Sequence, residues 1–191
     1  MRGADPDHAG PVNFAPTPLS GAWLVSLEPH PDVRGFFARV FSADEFRAKG
    51  LDARVSQTSI SHNRKKGTLR GMHWQAAPHG ETKLVRCEAG AIHDVIVDLR
   101  PASPTYTRAF GVDLRAADHL ALYIPEGFAH GFQTLEDDTV VHYQMSSPYV
   151  PEAGRGARWN DPAFGIRWPL PDPILIARDR DYPDFVPERR P

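Results

Sequence analysis

Prolines and glycines interrupt this chain too often for any long regular element to fit between them. With 19 prolines and 15 glycines in 191 residues, the segments between turn signals run to about ten residues, the spacing of an all-β sandwich or barrel. Helix is correspondingly scarce. The clearest candidate is SADEFRAKG, residues 42–50, in which Ser42 would cap the N-terminus, Glu45 would complete a capping box and Gly50 would end the helix. An apolar content of 41% suffices for a core of this size. One domain over residues 19–180 is expected, between an N-terminal arm (1–18) and a C-terminal tail (181–191) that are polar and proline-rich.

Charge narrows the partners. The 22 basic and 24 acidic residues are spread along the chain and leave a net charge of −2, which gives no electrostatic footprint for nucleic acid or an anionic membrane. A small-molecule partner fits better. Cys87 is the single cysteine and excludes an intramolecular disulfide. No apolar run reaches membrane-spanning length, and MRGADPDHAGPVNF lacks the basic and apolar regions of a leader. A soluble cytoplasmic protein is therefore expected.

Along a strand, residues two apart share a face. In ETKLVRCEAG, Lys83 alternates with Val85 and Cys87, which places a lysine on the inward side of a barrel. In DDTVVHYQMS, Tyr143 alternates with Val141 and Met145 and points inward too. AIHDVIVDLR is undecided, because Ile92, Asp94, Ile96 and Asp98 share one face while His93, Val95, Val97 and Leu99 share the other.

Two signatures bear on closure. IPEGFAH, residues 124–130, has the P-x-G-x-x-H pattern that resembles the second motif of the cupin superfamily, an all-β double-stranded β-helix or jelly-roll barrel. The first cupin motif is half present: where metal-binding members carry H-x-H and then a glutamate, this chain has His73, Gln75 and Glu81. His73, Gln75, Glu81 and His130 remain a possible metal-holding set. A neutral amide in place of an imidazole weakens that set, and no metal is expected.

More narrowly, the chain resembles the dTDP-4-dehydrorhamnose 3,5-epimerase family from about residue 20 to about residue 180. The matching stretches are DVRGFF, GTLRGMHWQ, KLVRC, DVIVDLR followed by SPTY, LYIPEGFAHGF, RWNDPAFGIRWP and ARD. What the resemblance implies is inversion of a carbon beside a keto group of a nucleotide-linked sugar, without a cofactor. Such chemistry needs a base, a donor for the enolate oxygen and an acid on the opposite face. By resemblance His73 is the base, Asp179 its partner carboxylate and Tyr143 the opposing acid. Lys83, His130 and Asp94 match polar groups of the pocket, Gln57 a substrate-contacting glutamine, and Arg34 and Arg70 positions that suit a diphosphate. The family also implies a homodimer, which exposed edge strands and an N-terminal arm would suit.

Departures from the family pattern fall on recognition positions and spare the acid and base. The usual Q-D-N reads Gln57, Thr58, Ser59, so Ser59 takes the place of a substrate-contacting amide, and one residue is inserted before GTLRGMH. A glutamate becomes Arg39, another becomes Gly154, the lysine before the dyad aspartate becomes Arg178, and a paired aromatic becomes Pro148 and Tyr149. The resemblance thus leads to a nucleotide-sugar epimerase acting at C3, C5 or both. A ketoisomerase or single-centre epimerase, a metal-dependent cupin enzyme and a non-catalytic sugar-binding cupin stay open as alternatives.

Overall fold

The computed structural model describes residues 10–187. Within them the short apolar segments pair into two antiparallel sheets. A six-stranded sheet has the order β1 (Asn13–Pro16), β2 (Trp23–Ser26), β10 (Ala121–Ile124), β7 (Lys83–Ala89), β12 (Thr139–Met145) and β5 (Gln57–Asn63). Facing it, a five-stranded sheet has the order β13 (Gly154–Gly156), β6 (Leu69–Gln75), β11 (Phe128–Thr134), β8 (Ala91–Asp98) and β9 (Ala109–Arg115). The result is the cupin-type jelly roll expected from the sequence, with little helix.

The core lies where the alternation puts it. Val85 and Cys87 of β7 and Val141 of β12 meet Ile92 and Ile96 of β8 and Phe132 of β11 between the sheets. Each such side chain contributes about 1.5–3 kcal/mol relative to an exposed position. The strand that alternation could not orient, β8, proves to be covered on both sides. Its Ile92 and Ile96 enter the inner core, while Val95 and Val97 pack outward with Met72 and Ala129 under Ala157, Phe164 and Trp168 of the C-terminal segment. A strand buried on both faces carries no polar-out signal to read, which is why period alone failed.

Helix α1 (Ala43–Ala48) forms where SADEFRAKG predicts it, with Ser42 Oγ accepting from Glu45 N at 3.5 Å. Only half of the capping box is made. The Glu45 carboxylate accepts from Val12 N at 2.8 Å and from Arg39 Nη1 at 2.6 Å, because a charged donor outcompetes the Ser42 amide. Gly50 adopts φ +78° just past the helix end, a conformation that favours glycine. The apolar face of α1 buries Phe46 against Phe14, Phe41 and Tyr123 on the outer side of the larger sheet.

Of the N-terminal arm, residues 1–9 lie outside the described residues, and Asn13–Pro16 is the edge strand β1. A separate hairpin, β3 (His30–Asp32) with β4 (Gly35–Phe37), stands apart from both sheets with Val33, Phe36 and Phe37 exposed. In the C-terminal segment, Phe185 packs near Phe164 and Trp74 and its amide donates to the buried Asp161 carboxylate. Among the described residues no helix is long and apolar enough to cross a membrane.

Candidate active site

Between the sheets opens a cavity of about 710 Å³. Its walls come from β5, β7 and β12 on one side and from β6, β11 and β13 on the other, with the short helix α2 (Ala177–Arg180) at the rim. The pairing of β6 with β11 aims the first key residue. His130 is opposite His73, yet Phe132 is opposite Arg70, so β6 carries one extra residue, a β-bulge of the kind that re-aims a side chain. Only glycine fits there, since a Cβ on Gly71, at φ +142°, would fall 2.5 Å from the Gly131 Cα.

His73 Nε2 lies 2.9 Å from Asp179 Oδ1. The carboxylate can only accept, so Nε2 carries the proton and Nδ1 is left as the nitrogen that can take one. Asp179 is 1% exposed and comes from α2, 106 residues away in sequence. Burial pushes its carboxyl up, but the bond and charge of His73, the Arg178 guanidinium and the Gly71 amide more than offset this and hold it below the ordinary carboxylate value. Tyr182 lies beside His73, its ring centroid 6.0 Å from the imidazole's. The space for it exists because Gly156 has no side chain: a Cβ there would fall 2.3 Å from the Tyr182 ring.

Tyr143 faces His73 from the opposite sheet. Burial, reinforced by the nearby Asp94, pushes its hydroxyl well above the usual phenol range, with Arg70 opposing weakly. It therefore stays protonated. Its ring stands edge-on to His130 at 6.0 Å. Lys83 also lines the cavity, its ammonium 3.2 Å from Glu81 and its side chain only 12% exposed. A second histidine–carboxylate pair sits deeper: His130 Nε2 is 2.7 Å from Asp94 Oδ1, and Asp94 is fully buried with Oδ2 unpartnered.

Of the residues singled out from the sequence, His73, Tyr143, Asp179, Gln57, Ser59, Arg70, Lys83, His130 and Arg178 all line this one cavity. Asp94 does not; it stands behind His130, to which it is bonded. Arg34 is likewise not brought to the cavity of its own chain. It sits on the β3–β4 hairpin, 79% exposed and paired with Asp32 at 2.6 Å, because two residues across a tight turn meet more readily than two separate elements. Of the departures from the family pattern, Ser59, Gly154, Arg178 and Tyr149 line the cavity, whereas Arg39 is spent on Glu45 at the helix.

Gln75 is a structural staple. Its amide donates to the His79 and Pro148 carbonyls and accepts from Val150 N, tying down the loop that brings Tyr149 and Pro151 to the rim. Its amide is thus engaged in holding backbone, and among the described residues no group of three or more histidine, cysteine or acidic side chains is arranged to hold a metal ion. Sequence reasoning missed Tyr182, Arg155 and Asn63. Tyr182 follows Asp179 by three residues, a one-turn spacing that could have drawn attention to it.

Comparison with known proteins agrees with this geometry. A sequence profile described as dTDP-4-dehydrorhamnose 3,5-epimerase matches residues 16–186. A dTDP-4-dehydrorhamnose 3,5-epimerase of Sinorhizobium fredii is 42% identical over 155 residues, 81% of this chain and 80% of the relative. The crystal structure of a Bacillus anthracis dTDP-4-dehydrorhamnose 3,5-epimerase with TDP and PPi bound superposes with a TM-score of 0.88 at 37% identity, covering 92% of this chain and all of the other. That of a 3'-monoepimerase from Streptomyces bikiniensis in complex with dTDP-quinovose gives 0.82 at 35% identity, over 88% of this chain and 86% of the other. Together with the cavity and the paired histidines, these likenesses show that the chain belongs to the dTDP-4-dehydrorhamnose 3,5-epimerase family, whose members are isomerases.

Proposed function

We propose that the protein inverts C3 and C5 of a dTDP-linked 4-keto-6-deoxy sugar by proton abstraction and return through an enolate. The observation that carries this reading is the placement of His73 and Tyr143 on opposite walls of one cavity, on β6 and β12. Inversion requires a proton to leave one face of the carbon and return to the other, so a base and an acid on facing sheets match the demand.

In this mechanism His73 Nδ1 removes the proton next to the keto group. Asp179 stabilises the imidazolium as it forms and holds the ring in position. The developing enolate oxygen meets the Lys83 ammonium, and His130, backed by Asp94, adds a second donor. Tyr143, kept protonated by its surroundings, delivers a proton to the other face. No cofactor is required, since the keto group already acidifies the neighbouring C–H. Arg70, Arg178 and Gln57 serve the nucleoside diphosphate, with Ser59 and Gly154 shaping the sugar end.

A second reading, epimerisation at one centre only, is favoured by the likeness to the Streptomyces bikiniensis 3'-monoepimerase. Incubation with dTDP-4-keto-6-deoxyglucose in deuterium oxide, followed by proton NMR, separates the two. Exchange at both C3 and C5 supports the 3,5-epimerase, exchange at one supports the single-centre enzyme, and exchange at neither refutes both. We also propose that it works in the cytoplasm as a homodimer. The exposed apolar hairpin at Val33, Phe36 and Phe37 and the exposed Ile60 on edge strand β5 support pairing with a second copy. A monomeric mass in solution would rule the dimer out.

A further inference from the structure

Asn63 ends β5 at 2% exposure, and both ends of its amide are engaged. Nδ2 donates to the Ser61 carbonyl at 3.1 Å and to the Thr139 carbonyl at 3.2 Å. Carbonyls can only accept, so the amide orientation is fixed and Oδ1 is the atom that accepts from Arg70 Nε at 2.7 Å. Of the five N–H groups on a guanidinium, this bond ties one and leaves the four on Nη1 and Nη2 for a partner.

The partner of this arginine is as telling as its orientation. Arg178 is paired with Asp179, Arg34 with Asp32 and Arg39 with Glu45; Arg155, bonded like Arg70 to neutral groups, turns Nη1 back onto the Glu152 and Gly154 carbonyls of its own loop. Arg70 lines the cavity and, among the described residues, bonds to a neutral amide instead of a carboxylate. Its positive charge is therefore kept for something brought in from outside. A buried amide anchored to two carbonyls is a rigid mount, and a fork presented on such a mount suits bidentate pairing with phosphate oxygens.

We propose that Asn63 is a positioning residue that holds Arg70 as the diphosphate-binding fork of the cavity while leaving its charge intact. This rests on the nucleotide-sugar reading above. An aspartate at position 63 could offer the same acceptor atom, but it would cancel the charge and set an oxygen against the Ser61 and Thr139 carbonyls.

The test is a double-mutant cycle read by calorimetry, with thymidine 5'-diphosphate and thymidine as separate probes. Asn63→Ala is expected to weaken thymidine 5'-diphosphate by about tenfold, the scale of a lost bond to a charged group, and thymidine by less than twofold. In an Arg70→Ala background the same substitution is expected to change neither. Should Asn63→Ala not fold, Asn63→Ser carries the same cycle while retaining a short polar side chain. Equal weakening of both probes, or the same loss whether or not Arg70 is present, overturns the proposal, because a general loosening of β5 would act without the arginine. A wild-type protein that binds no thymidine 5'-diphosphate would overturn the functional reading itself.

Discussion

Among the described residues two histidines face the cavity, each bonded through Nε2 to a carboxylate, and the surroundings of the two pairs differ. At His73–Asp179 the separation is 2.9 Å, the imidazole is 30% exposed, and the carboxylate receives further bonds from Arg178 and Gly71. At His130–Asp94 the separation is 2.7 Å, the imidazole is 5% exposed, and the second carboxylate oxygen has no partner. The shorter bond belongs to the less accessible pair. Hydrogen-bond length therefore does not distinguish the proposed base; what favours His73 in that proposed role is an open nitrogen next to a carboxylate whose charge is secured by several donors. His130 is better placed to hold an oxygen than to exchange protons with carbon.

The largest expected effect is at the accessible pair. His73→Ala should lower turnover by about 10⁴-fold, the upper range for a general base, while substrate affinity stays within about tenfold. Steady-state kinetics with equilibrium binding checks this, and an equal loss of turnover in His130→Ala would erase the distinction between the pairs.

Asp179→Asn should cost about 10³-fold in turnover by removing the partner of the imidazolium, and it should also change acid stability. The Asp179 carboxyl titrates lower in the folded state than its ordinary value. Its stabilisation is complete above about pH 4 and is lost as pH falls through the lowered folded value. Thermal melts between pH 5 and pH 3 should therefore fall less steeply in Asp179→Asn than in the wild type, and parallel curves would show that the carboxylate is not stabilised as its bonding indicates.

Tyr143→Phe should lose about 10²-fold or more in inversion yet keep proton exchange with solvent, because in the proposed mechanism removal and return use different walls of the cavity. Since burial raises the phenol, the wild-type rate should show no alkaline decline from this group up to about pH 10, the ordinary tyrosine value. Loss of exchange and inversion together in the variant would merge the two roles. The smallest effect is expected at the deeper carboxylate: Asp94→Asn should reduce turnover by about tenfold, because an amide can still hold the His130 ring in place. A loss as large as that of Asp179→Asn would make the second pair equal to the first.

Much of the site was legible along the strands. Lys83 and Tyr143 could be assigned inward because each alternates with two apolar residues on a strand with a clear buried face. The family motifs carried His73, Asp179, Gln57 and Arg70 to the same cavity. Asp94 was ambiguous, since both faces of β8 are covered. Arg34 was expected near the substrate, and the structure puts it on a hairpin with its charge already paired. Gln75 was weighed only as a metal ligand and Asn63 was not singled out, because the bonds the two make depend on backbone atoms supplied from 73 and 76 residues away.

The sequence by itself determined the class of fold, the inward residues of β7 and β12 and the helix beginning at Ser42, because these follow from local geometry and from side chains two or four residues apart. Only the tertiary structure decided which carboxylate meets which histidine, that Glu45 serves Arg39 and Val12 in place of its own cap, and that a bulge at Gly71 turns His73 toward Asp179. Those choices are made between elements far apart in the chain, where the winner is the partner that the packed sheets bring within bonding distance, and no period in the sequence records that competition.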